Sequence, residues 1–248
     1  MKIRLDKLVL QRGLAPTRER AQALVLAGRV LVNEQKVEKP GTGVPPDAEL
    51  RLLGQDLRYV GRGGLKLEKA LEHWNIHLSG RTCVDVGAST GGFTDCMLQH
   101  GAARVIAIDT GYGQIAAKLR DDPRVRLMEK TNARYLKREN IAEPADFLAM
   151  DVSFISATLV LPAVIESLKP SDGSYRLEAV VLVKPQFEVG REAVGKGGIV
   201  RDESAQQGAV EKVRAALQQL GFAELETIES PILGTEGNRE FLLHGISH

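Results

Sequence analysis

The hydrophobic pattern changes character along the chain. Leu5, Leu8 and Val9 share one stripe over Leu5–Gly13, and Ala21, Leu24 and Val25 share another over Arg18–Gly28. That spacing predicts two short helices in a hairpin, the second capped by Thr17 and closed by Gly28. Arg29–Asn33 and Glu34–Val37 then read as a strand, a tight turn and a second strand. Gly41–Asp47 reads as a loop and Ala48–Leu53 as a closing strand. Gly54–Tyr59 is short and unpatterned, and a helical stretch follows from Gly61 through Trp74.

From residue 82 onward apolar strands alternate with helical segments: strands at 82–86, 104–108, 124–129, 146–150 and 178–183, helices at 91–100, 113–120, 157–168 and 202–220. Such alternation predicts a mostly parallel sheet covered by helices on both faces. Two more strands, 222–230 and 239–245, are joined by Pro231–Asn238. A connection that short allows an antiparallel pair and no parallel crossover. The expected architecture is α/β: a small α+β domain over 1–58, a linker over 59–64, and a Rossmann-like domain over 65–248 with an antiparallel last strand.

Composition narrows the function classes. The 248 residues are 43% apolar, enough for a substantial core. No run approaches the ~18 consecutive apolar residues of a membrane span, and the opening Met-Lys-Ile-Arg-Leu-Asp lacks the apolar region of a signal peptide. A cytoplasmic protein with no membrane partner is expected. Two cysteines and five histidines without ligand spacing predict no metal site. The net charge is only +1, yet residues 1–40 carry nine Lys/Arg against four Asp/Glu. The basic charge therefore belongs to the first domain, as on a phosphate-binding surface. Arg18 and Arg20 sharpen this, because cations in the first turn of a helix oppose its dipole and an incoming phosphate would reverse that preference.

The most informative segment is Asp85-Val-Gly87-Ala88-Ser89-Thr-Gly91-Gly92-Phe93-Thr94, a strand end that turns on glycines into a helix. Its spacing is not the G-x-G-x-x-G of a dinucleotide site, and no Lys-Ser/Thr follows as in a P-loop. Asp85 would repel phosphates and suits a cationic ligand such as S-adenosylmethionine. Asp109 ends the next strand, near the ~20-residue offset at which an acid meets ribose hydroxyls. Asn132 reads either as an adenine-side neighbour or as a plain helix cap.

Ligands of open α/β sheets bind outside the carboxyl ends of the strands. Asp151 and Lys184 end strands 146–150 and 178–183, and Glu240 begins the final strand, so an antiparallel course brings it to the same edge. Burial lowers the pKa of such a lysine toward a general-base range, while flanking carboxylates raise it. Gln186–Val200, rich in glycine, reads as a lid or RNA-contacting arm.

Residues 1–58, with Arg-Leu-Asp-x-x-Leu, Thr-Arg-Glu-Arg-Ala and Ala-Gly-Arg-Val-x-Val-Asn, resemble the S4 RNA-binding domain. The resemblance implies RNA contacts by Arg4, Arg18, Arg20 and Lys36. The remainder resembles FtsJ-like ribose 2′-O methyltransferases, and the whole chain resembles the TlyA family of rRNA methyltransferases, some of which carry a haemolysin label. The matching segments are Gly61-Arg-Gly-Gly-Leu-Lys66-Leu, the glycine turn, Asp151-Val-Ser-Phe-Ile-Ser156, Val183-Lys-Pro-Gln-Phe-Glu188 and Gly237-Asn-Arg-Glu240. The resemblance implies S-adenosylmethionine as cofactor, held by Asp85, Gly87, Ala88 and Ser89, by Gly91, Gly92 and Phe93, and by Asp109 and Asn132. It implies a catalytic tetrad of Lys66, Asp151, Lys184 and Glu240, with Lys69 one turn from Lys66 as a competitor. The implied acceptor is a ribose 2′-hydroxyl, of a cytidine, in ribosomal RNA or ribosomal subunits. A non-catalytic ribosome-assembly factor and a membrane-active haemolysin are the rival readings.

Overall fold

The computed structural model describes residues 2–53, 58–169, 176–234 and 236–247. The chain divides into two compact units, Met1–Asp56 and Leu57–His248. Residues 54–57 of the expected connector lie outside the described residues.

Unit 1 runs β1 (Ile3–Arg4), α1 (Leu5–Gln11), α2 (Arg18–Leu26), β2 (Val30–Val32), β3 (Gln35–Lys36), β4 (Gly43–Val44) and β5 (Leu50–Leu52). Leu5, Leu8 and Val9 pack against Ala21, Leu24 and Val25 and against Val30 and Val32 of the sheet. The Thr17 hydroxyl accepts from Arg20 N at 3.2 Å and starts α2. Asn33 and Glu34 both hold positive φ, which gives the β2–β3 turn the twist a two-residue hairpin needs. Within the expected 41–47 loop, Gly43–Val44 pairs antiparallel with β1.

Unit 2 continues with α3 (Gly63–His73), β6 (Thr82–Val86), α4 (Gly92–Gln99), β7 (Arg104–Ile108), α5 (Ala117–Arg120), β8 (Val125–Met128), α6 (Arg138–Ile141), β9 (Phe147–Met150), α7 (Ala157–Leu168), β10 (Glu178–Val183), α8 (Pro185–Glu188), α9 (Glu203–Gln219), β11 (Phe222–Glu229) and β12 (Phe241–Ser247). The sheet order is β11-β12-β10-β9-β6-β7-β8. β12 is antiparallel to both neighbours, and the five strands from β10 to β8 are parallel. Alternation along the strands divides the core between the two faces. Val84, Val86, Ile106 and Ile108 join α7 and α9, while Cys83, Val105 and Ala107 join α3 and α4.

Two expectations change. Residues 59–64, expected as a linker, carry structure of unit 2: Tyr59 is buried, its hydroxyl donates to Glu68 at 2.8 Å, Val60 N donates to Asp95 at 2.8 Å, and Gly63 begins α3. The helix expected over 113–120 shrinks to Ala117–Arg120. Its would-be first N–H groups are used elsewhere, Gly113 N on Glu129 and Ala116 N on the Thr90 carbonyl.

Candidate active site

The ends of β6 and β9 meet at Gly87. Its φ is +88°, and a Cβ there would lie 2.3 Å from the Asp151 carbonyl oxygen. Only glycine permits that approach, and Asp151 N in turn donates to Val86 O at 2.8 Å. Gly92 has a different neighbour: a Cβ would sit 3.0 Å from Gly64 N and 3.3 Å from Gly63 Cα, so this glycine lets the first turns of α3 and α4 touch. Gly91 likewise faces Leu119.

Beside the turn lies a cavity of about 500 Å³, within the range of small-molecule sites. Gly87, Ser89, Asp109, Asn132 and Asp151 line it, together with Phe154 and Gln114. Asp85, Ala88, Gly91, Gly92 and Phe93 do not; they lie behind the wall and shape it. The Asp109 carboxylate ties two loops together, accepting Ser89 N at 2.7 Å and Gly111 N at 2.6 Å. A carboxylate has lone pairs to spare beyond those two bonds. Asn132 is a cap, its Oδ1 accepting Arg134 N at 3.1 Å, and it lines the cavity as well.

Asp85 is not the fixed anion that its place in the turn suggested. It is fully buried, and its Oδ2 accepts the Thr94 hydroxyl at 2.6 Å. Burial pushes its carboxyl up to about 7, against the pull of the Thr94 hydrogen bond. Among the described residues the buried side-chain polar atoms without a hydrogen-bond partner are Asp85 Oδ1, Asp151 Oδ1 and Gln186 Oε1. All three are acceptors, and they stand at or just past the ends of β6, β9 and β10. Unpaired buried acceptors call for donors or positive charge.

The four candidate reacting groups form two ion pairs. Lys184 Nζ lies 2.5 Å from Asp151 Oδ1 and donates to Ser153 Oγ at 2.8 Å. The contact with Asp151 has the distance of an ion pair without the alignment of a hydrogen bond. Lys66 Nζ donates to Glu240 Oε2 at 2.5 Å, and both residues are buried. The β10–β12 register pairs Val183 with Phe241, which sets Glu240 opposite Lys184 at the strand ends. Lys69, the competitor one turn on, is exposed and takes no part.

Sequence reasoning missed the groups that fix the loops around these pairs. Glu188 is buried; its carboxylate accepts Ser156 Oγ at 2.5 Å and Ala157 N at 2.7 Å, and it lies 3.4 Å from Lys212 Nζ. With the Phe154–Phe187 ring contact at 5.3 Å, it joins the loop after β9 to the segment after β10. Asn238 accepts Val200 N at 2.9 Å and donates to Gly198 O at 2.8 Å, so the stretch read as a lid is fastened near its start by Glu188 and at its end by Asn238. Phe154 has φ +64° and is 91% exposed at the cavity. The only signal for these residues was their place inside the motifs.

In unit 1, Asp6 has no exposed surface. It accepts Arg4 Nε at 3.0 Å and Nη2 at 2.9 Å, Arg18 Nε at 3.2 Å and Gln22 Nε2 at 2.9 Å. These donors, Arg4 above all, hold its carboxyl well below the usual range. The cost of a cation in the first turn of α2 is therefore offset at Arg18 by Asp6, without any phosphate. Arg20 stands in the same turn. Lys36 lies across Gly28 and pairs with Glu38 at 2.8 Å.

Among the described residues, no helix is long and apolar enough to cross a membrane, and no group of His, Cys, Asp and Glu is arranged to hold a metal.

Comparison with known proteins places these features in a family. The FtsJ-like methyltransferase model matches residues 59–246, and the S4 domain model matches residues 3–50. The 16S/23S rRNA (cytidine-2′-O)-methyltransferase TlyA of Mycobacterium tuberculosis is 43% identical, over 97% of this chain and 88% of that protein. Hemolysin A of Brachyspira hyodysenteriae is 40% identical, over 98% of this chain and all of its relative. An S-adenosylmethionine-dependent methyltransferase structure from Mesorhizobium loti covers 76% of this chain and 100% of that one, with a TM-score of 0.51 and 17% identity, a likeness of fold alone. The chain belongs to the TlyA family, an S4 domain joined to an FtsJ-like methyltransferase domain.

Proposed function

We propose that this protein transfers a methyl group from S-adenosylmethionine to a ribose 2′-hydroxyl of a cytidine in ribosomal RNA, which unit 1 helps to hold. The observation that carries the reading is that Asp151 belongs to two places at once: it lines the cavity and it pairs with Lys184. A methyl donor in the cavity and an acceptor beside Lys184 would then share a wall. Such a substrate puts the protein in the cytoplasm.

The residues present fit the cofactor. Asp109 has lone pairs left for ribose hydroxyls, Asp151 adds a second carboxylate to the cavity wall, and Asn132 lines the same cavity. Bound there, S-adenosylmethionine supplies an electrophilic methyl on a positively charged sulfur. Lys184, once neutral, takes the proton of the 2′-hydroxyl; two of its N–H bonds can face Asp151 and Ser153 while the lone pair faces the substrate. Glu240, held by Lys66, orients the same hydroxyl from the neighbouring strand end, and the fixed loops keep the reacting atoms aligned. Phe154 offers an exposed ring on which an unstacked base can lie.

Labelled S-adenosylmethionine offered to ribosomal subunits and to naked rRNA tests the reading. We expect label on a cytidine 2′-oxygen; label on base atoms or on protein would sink the 2′-O assignment. Lys184→Ala is expected to slow transfer by about 10²–10⁴-fold and to leave cofactor affinity nearly unchanged. If no RNA accepts label, the reading as a ribosome-assembly factor takes its place. The name of the Brachyspira relative motivates one further control. Leakage of liposomes that survives Asp109→Ala would favour a membrane-active protein.

A further inference from the structure

Asp6 is an acid at the centre of a face whose other marked residues are cations. The carboxylate is sealed from solvent, while the side chains of Arg4 and Arg18 stay 46% and 44% exposed. Both guanidiniums share Asp6 Oδ2, and Gln22 donates to the same atom without adding charge. Arg18 spends only its Nε on Asp6, so that contact leaves Nη1 and Nη2 to other partners. It also stands in the first turn of α2, where backbone N–H groups and the helix dipole favour an anion.

We propose that Asp6 is a positioning residue for RNA: it pins Arg4 and Arg18 side by side as a preformed clamp for one backbone phosphate. The inference rests on the reading of unit 1 as an RNA-binding domain. An unpinned arginine loses side-chain freedom when it binds, whereas a pinned one has lost it on folding. The acid costs little attraction, because it faces inward and its two partners leave the cluster with net positive charge.

The consequence runs against charge counting. Asp6→Asn makes the face more positive, so bulk electrostatics alone predicts tighter RNA binding. The clamp predicts about tenfold weaker binding of purified ribosomal RNA by the full chain, with the slope of log affinity against log salt flattened by about one. Arg18→Ala, measured beside it, separates the two readings. Weakening by Arg18→Ala with unchanged or tighter binding by Asp6→Asn overturns the clamp and leaves RNA binding by unit 1 standing. No effect of either variant overturns both. If Asp6→Asn fails to fold, the wild-type protein still decides. Nitrogen relaxation at the Nε–H groups of Arg4 and Arg18 should show both held rigid without RNA, and free side-chain motion there would overturn the proposal.

Discussion

Asp6 and Asp85 are carboxylates that both lack exposed surface and have opposite fates. The first is held below the ordinary carboxylate range and the second is pushed up to about 7. The difference is depth together with the supply of donors. Asp6 takes side-chain bonds from two arginines and a glutamine and lies shallow, covered by its own cations, whereas Asp85 has one hydroxyl and lies deep in the sheet. Burial alone does not set the charge of an acid; the groups buried with it do. The first domain stores its acid as a permanent anion that organises cations. The second keeps one that can lose its charge near neutral pH, beside the expected site of a positively charged ligand.

The largest effect should come from Asp6→Ala, which strands two arginines. Unit 1 should lose about 3 kcal/mol through the hydrogen bonds to a buried carboxylate that go with it, read by hydrogen exchange at the α1 and α2 amides. An unchanged exchange pattern would mean that solvent serves those arginines as well as Asp6 does. Asp85→Asn should act in the other direction. The folded pKa of Asp85 lies above its unfolded value of ~3.9, so the folded state binds more protons between the two, and stability falls as pH rises from ~4 through about 7. The amide should therefore stabilise unit 2 at pH 8 and leave it unchanged at pH 4, as urea melts at the two pH values would show. Asp6 has the opposite sign: its contribution is present above ~3.9 and is lost only as pH falls further toward its depressed folded pKa. Thr94→Val, which removes the hydroxyl donor to Asp85, should cost about 1 kcal/mol and raise the Asp85 pKa further, followed by carboxyl-carbon NMR titration. Smallest of all, Glu38→Gln breaks an exposed pair with Lys36 and should leave the melting temperature where it was.

How much of this could be read from sequence follows the same division between what periodicity records and what depends on neighbours. Strands buried on both faces are continuous apolar runs, so β6, β7, β9 and β10 stand out and bring Asp151 and Lys184 to the sheet edge. The short final connection made β12 antiparallel and delivered Glu240 to that edge. The cavity wall was less legible. A glycine in a turn records that space is needed, and nothing about who needs it; Gly87 makes room for the Asp151 backbone, Gly92 for the start of α3. The helix expected from residue 113 failed because its N–H groups bond to loops far away in sequence. Asp6 was visible only as a letter of the opening motif, since its partners come from Arg4 before α1 and from Arg18 and Gln22 on α2.

The Lys66–Glu240 pair joins residues 174 positions apart, and β12, which carries Glu240 into place, sits inside the sheet between β11 and β10. The pair can therefore close only after nearly all of unit 2 has been synthesised and threaded together. A nascent or truncated chain ending before Glu240 would already possess the basic face of unit 1, but its Lys66 would lack the matching acid. On the proposed role of the pair, competence to react is a late event in the life of each molecule, and proteolytic loss of the β11–β12 hairpin would be a way of silencing it without touching the face that carries the arginines.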